Sequence, residues 1–167
     1  MTDPTMAAIT EAVTRGRAGD DAGARTALTE LWADIGPHGD PFHRCTLAHY
    51  LADLHDDPAE ALTWDVRALD AAEALTDSRT QQFDAALEVR GFFPSLHLNL
   101  ADNYRRLASF DAARSQVDAA RRHLDALRDD AYGAMIRTAL DEVEAAIDAG
   151  NTGRRDSAPT GRPSERG

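Results

Sequence analysis

Apolar residues in this chain return every three or four positions and never alternate in twos. Leu100, Tyr104 and Leu107 fall on one helical face, and Ala113, Val117, Ala120, Leu124 and Leu127 fall on another. Only Ala108-Ser109-Phe110 separates the two runs, which leaves room for an antiparallel reversal and nothing longer. Asp3-Pro4, Asp40-Pro41 and Asp57-Pro58 each place a capping carboxylate before a proline at the first helical position, where the missing N–H costs nothing. Gly36-Pro37 and Gly150 suit helix ends. These signals predict helices near 4–17, 21–34, 41–54, 58–75, 78–90, 94–107, 110–127 and 131–149. No run carries the period of a strand. The chain is therefore expected to be all-α, built as successive antiparallel hairpins.

The hairpins echo one another. Leu47-Ala48 with Leu51, followed by Ala61, Asp65 and Ala68, parallels the run from Leu100 to Ala120 with one extra residue in the turn. A weaker pair joins Ile9 and Val13 to Ala24, Leu28 and Leu31. The last helix carries an apolar stripe of Tyr132, Ile136, Leu140, Val143 and Ile147, with Asp141, Glu142, Glu144 and Asp148 on its other face, as a helix capping an open end should. Leu47, Leu51, Leu100, Tyr104, Val117 and Leu124 are expected in the core, with Ala101 and Ala113 at helix–helix contacts. Trp32 and Trp64, on second helices, are read as hairpin core.

This arrangement resembles the tetratricopeptide repeat, whose pattern is a Leu-small pair, then Tyr, then after the turn Ala, an aromatic or aliphatic residue, and Ala again. Here Leu100-Ala101, Tyr104, Ala113, Val117 and Ala120 take those places, and the best match covers 94–127. The resemblance implies a right-handed stack of antiparallel helical hairpins, a tetratricopeptide-like solenoid with a C-terminal capping helix. One spacing departs from it: Ala61 and Ala113 are 52 residues apart, where a single repeat is about 34. The surplus lies in Ser78–Pro94 and fits either an extended first helix or an extra helix. Pro94 and Gly91 weaken helix locally, so a kink or break is expected at 91–94, with Phe92 and Phe93 plugging the core beside it.

Composition narrows the setting. A chain of 167 residues is one domain by size, with a domain at 1–150 and a disordered tail at 151–167 rich in Gly, Pro, Ser and Arg. All 18 basic residues are arginine, which suggests a GC-rich, bacterial genome. The net charge is −11, and because the tail holds four arginines against two acids, residues 1–150 carry −13. So acidic a body repels phosphate backbones and anionic lipid, which argues against nucleic-acid and membrane partners. A single cysteine forms no internal disulfide and fits a reducing compartment, the N-terminus has no apolar core of signal-peptide length, and no apolar stretch approaches the roughly 18 residues of a membrane span. A cytoplasmic protein is expected.

By the resemblance, first helices line a concave groove. Its candidate binding residues are His49 and Asp53 on helix 41–54 and Ser95, Asn99, Asp102, Arg105 and Arg106 on helix 94–107, with Phe42, Cys45 and Leu98 on the same faces. Such a stripe of His, Asp, Asn and Arg suits a peptide backbone or a carboxylate. Family members that clamp a C-terminal carboxylate use two Lys/Arg and two Asn, a set this chain does not reproduce. The expected role is a non-enzymatic adaptor for a protein or peptide, without cofactor; should the groove not be the binding surface, a break at 91–94 could expose Phe92 as an apolar anchor for a second subunit in a homodimer. The alternative is a small-ligand or metal sensor. Cys45 and His49, and His49 and Asp53, stand four apart on one helix, with His43 and His97 as further ligands, although the spacing matches no established zinc signature. A Cys–His–Asp catalytic site lacks a loop to complete it. Arg114, Arg121 and Arg128 run beside Asp111, Asp118 and Asp125 and read as an ion-paired solvated face.

Overall fold

The computed structural model describes residues 3–77 and 83–156 and is all-α over them. Its helices are α1 (Pro4–Arg17), α2 (Asp21–Ile35), α3 (Pro41–Asp53), α4 (Pro58–Asp77), α5 (Phe83–Arg106), α6 (Phe110–Arg122) and α7 (Ala131–Asp148), with a 3-10 turn at Leu124–Ala126. No helix among the described residues is long and apolar enough to cross a membrane. The described residues fall into two compact units, one running to Ala71 and one starting at Ala72.

In the first unit the capping carboxylates act as their positions dictate. Asp3 Oδ1 accepts from the amides of Thr5 and Met6, both at 3.0 Å, and Asp40 and Asp57 cap α3 and α4 in the same way. Asp20 caps α2 through the amide of Gly23 while its other oxygen takes the guanidinium of Arg15 at 2.6 Å. Helices α1 and α2 pack as an antiparallel hairpin, and α3 packs against both. Their core is Ile9, Ala12, Leu28, Leu47 and Leu51, flanked by Trp32, Tyr50 and Trp64. Gly16 sits at a close contact with α2 and the end of α3: a Cβ there would lie 3.3 Å from Ala24 Cβ and Leu54 Cδ2. Asp65, which occupies an apolar place in the hairpin echo, is buried.

The second unit is built on α5, which packs against α6 and α7. The expected break at 91–94 does not occur. Helix α5 runs continuously through Gly91 and Pro94, so the surplus before Leu96 is extended first helix; residues 78–82, where the separate helix was expected to start, lie outside the described residues. A proline inside a helix costs about 3 kcal/mol. Phe93, Leu96, Leu98 and Leu100 are all buried around it, and each contributes roughly 1.5–3 kcal/mol by burial, which outweighs the local penalty.

Ala101 and Ala113 are fully buried in a core with Leu98, Val117, Ala120, Ile136, Leu140, Val143 and Ile147. Tyr104 and Leu124 pack against this core at its margin and stay half-buried, short of the full burial expected of them. Helix α6 ends at Arg122, five residues early, because the tighter 3-10 turn that follows brings Leu124 and Leu127 onto the core as the chain turns toward α7. On α7 the buried stripe starts at Gly133, while Tyr132 is exposed. A Cβ at Gly133 would lie 2.1 Å from the carbonyl oxygen of Arg128, so only glycine fits the helix start that closely.

Candidate functional site

The candidates on α3 fall in the first unit and those on α5 in the second. His49 was expected at an exposed groove. Instead the residue is half-buried and its Nδ1 has no solvent exposure. Burial pushes its pKa down to about 4, so the ring is neutral near pH 7. Asp53, in the last turn of α3, is also half-buried.

The proposed metal ligands are engaged separately. His43 Nε2 meets Asp3 Oδ2 at 2.6 Å. The Met6 amide, then this histidine, hold the Asp3 carboxyl below the usual carboxylate range. Cys45 is fully buried and its thiol is pushed up to about 12, so no thiolate is available near neutrality. Among the described residues no three His, Cys, Asp or Glu side chains are grouped to hold a metal ion.

Two features of the first unit were not read from its sequence. Trp32 and Trp64 meet edge to face, with Arg44 over Trp32 at 4.0 Å and Arg67 over Trp64 at 4.4 Å. Arg44 also donates to the carbonyl of Gly36, which fixes it over the indole. The Trp64/Arg67 spacing of three was the available signal; the long-range partners were not legible. A trough of about 260 Å3 runs between α1 and α2, floored by Ala12, Ala27 and Leu31 and edged by Glu11, Glu30 and Asp34.

On α5, Ser95 is buried while Asn99, Asp102 and Arg106 are half-buried. Arg105 departs most from expectation. It has no solvent exposure and presents nothing to a groove. Its Nε and Nη2 donate to Asp102 Oδ1 at 3.0 and 2.8 Å. Its Nη1 donates to the carbonyl of Asn151 at 2.5 Å, and Nη2 donates also to that of Gly153 at 2.8 Å. Arg155 then closes over the other Asp102 oxygen at 3.3 Å and reaches Glu142 of α7 at 2.9 Å. The tail expected to be disordered from 151 is thus fastened to the second unit as far as Asp156, and only 157–167 lie outside the described residues.

Between α5 and the end of α6 three rings gather. Phe93 stacks on His123 at 4.9 Å, and His97 lies nearly parallel to His123 at 5.6 Å. His97 Nδ1 lies within hydrogen-bond distance of Gln116 Oε1, at 2.8 Å. Burial lowers the His97 pKa, against the raising effect of the Gln116 hydrogen bond. Phe92 is half-buried on the unbroken helix.

The arginines of α6 pair with the neighbouring helix α7, whereas sequence spacing had suggested the aspartates of their own helix. Arg114 meets Asp148 at 2.7 Å, and Arg121 meets Glu144 at 2.6 Å and Asp141 at 3.1 Å. Those two carboxylates, Asp141 foremost, raise the Arg121 pKa.

No protein-family model matches this chain, and neither the curated proteins nor the solved structures compared with it contain a match.

Proposed function

We propose that the chain is a non-enzymatic interaction module, a degenerate stack of tetratricopeptide-type hairpins in which a first-helix face holds a peptide segment of a partner protein. The observation that carries this reading is the α5–α6 hairpin. Ala101 and Ala113 are both fully buried there, as small residues at a close helix contact should be. Asn99, Asp102 and Arg106 recur at helical spacing outside that core and keep partial exposure. A rigid helix carrying amide, carboxylate and guanidinium groups in one row offers a donor and acceptor set for an extended main chain.

Selection of ligands from a random displayed-peptide library against the full chain tests the reading. Selected peptides should bind the Asn99→Ala/Arg106→Ala double variant at least tenfold more weakly than the parent. An empty selection, or peptides that bind parent and variant equally, overturns it. The double variant matters because a single rim contact shifts affinity too little to be decisive.

A further inference from the structure

We infer that the α5–α7 face is a site for an extended, arginine-bearing peptide, and that residues 151–156 occupy it as a tethered ligand which such a partner displaces. The inference rests on the proposed reading of α5 as a peptide-binding helix.

The contacts have the form of peptide recognition. Arg105, wholly buried, takes two main-chain carbonyls from the segment, those of Asn151 and Gly153. These carbonyls are available from any sequence, so they supply attachment without side-chain identity. Selectivity comes from Arg155, whose guanidinium bridges Asp102 and Glu142. Arg105, Arg155, Asp102 and Glu142 form one charged cluster. Lifting the segment off takes the Arg155 guanidinium from both carboxylates and two carbonyl acceptors from Arg105. The vacated face therefore suits main-chain carbonyls and a cation.

The segment is held in a way that permits exchange. Asn151-Thr152-Gly153-Arg154-Arg155-Asp156 brings no apolar side chain, and only Arg155 among these residues is sheltered from solvent. Its internal order comes from a local turn in which Asn151 Oδ1 accepts from the Gly153 amide. Gly150, at φ 62°, turns the chain off the end of α7. The segment is thus tethered by only two residues, Ala149 and Gly150, to the end of α7, which gives it an effective concentration of about millimolar or more against any free competitor.

The experiment uses a synthetic peptide of residues 149–158 carrying a fluorophore, and the full-length chain in three forms: unaltered, Arg155→Ala and Asn151→Ala. Fluorescence anisotropy reads binding, and far-UV circular dichroism with thermal melting reads folding. The Arg155→Ala chain should bind the peptide at least tenfold more tightly than the unaltered chain, because its own segment no longer competes. A peptide with the same arginine changed to alanine should lose that binding. Asn151→Ala removes the turn that orders the segment, leaves Arg105, Asp102 and Glu142 unaltered, and should likewise bind the peptide more tightly than the unaltered chain, which keeps the test decisive should Arg155→Ala fail to fold. Equal binding to all chains, or binding to none, overturns the inference. The library-selected peptides are run on the same variants. If they bind α5 while the 149–158 peptide does not, the tethered-ligand inference alone fails; if neither binds, the reading of α5 fails with it.

Discussion

The amide of Ser109 donates to the carbonyl of Tyr104 at 2.8 Å, closing α5 with Ala108 between them at φ 60°. The Ala108 amide bonds Arg105, completing a Schellman turn. The same pair of bonds ends α1 and α7, where Gly19 and Gly150 hold the left-handed position. Only Ala108 meets this demand with a Cβ, among the described non-glycine residues. A left-handed alanine costs about 1–2 kcal/mol, so Ala108→Gly should raise stability by about 1 kcal/mol after the added freedom of the unfolded glycine is subtracted. Urea unfolding at constant m-value measures it. An unchanged or lower midpoint would show that the turn tolerates its alanine without strain.

Gly91 offers the reverse case. It sits inside α5, and a Cβ built on it meets nothing within 4 Å. Gly91→Ala should therefore stabilise the chain by roughly 0.5–1 kcal/mol through the lower entropy of the unfolded state. Gly133→Ala should destabilise it, because its Cβ would collide with the Arg128 carbonyl. Opposite shifts in the denaturation midpoints of the two variants are the expected outcome.

The helices were legible in the sequence because their signals are local. A capping aspartate, the proline after it and apolar residues at spacings of three and four act within a turn or two, and the starts at Pro4, Pro41 and Pro58 follow directly. Pro94 shows where that logic ends: its penalty is local, but the burial that overrides it is tertiary. The site was less legible for the same reason. Arg105 looked like a surface cation from its neighbours on α5, yet its partners lie 46 and 48 residues away, in a tail whose composition suggested disorder. His49 likewise revealed its type and spacing, but not the burial that neutralises it.

The aromatic pair of the first unit has a measurable coupling. Trp32 and Trp64 lie 5.3 Å apart at an interplanar angle of 88°. Edge-to-face pairs contribute about 0.5–1.5 kcal/mol beyond their buried area. A double-mutant cycle of Trp32→Leu and Trp64→Leu should return a coupling free energy in that range. Additivity of the two single changes would mean that each indole contributes by packing alone, and that the arginines over them organise nothing between the rings.

Acid should weaken the fold well above the range in which carboxylates titrate. His49 has a folded pKa of about 4 against 6.5 for an ordinary histidine, so the unfolded chain binds the extra proton first as pH falls. This contribution is fully present above pH 6.5 and drains away between there and pH 4. Linkage places the loss between pH 7 and pH 5 at roughly 2 kcal/mol at most. His97 is displaced in the same direction by its burial and adds to the slope, with Gln116, His123, Glu73 and Arg122 as the groups that set its balance. Replacing His49 with glutamine removes its titration, so the stability of the His49→Gln chain should fall less steeply over that interval, whatever its absolute value. Urea melts of both chains at half-unit pH steps decide the matter: parallel curves would mean that the ring of His49 is hydrated in solution and titrates as an ordinary histidine.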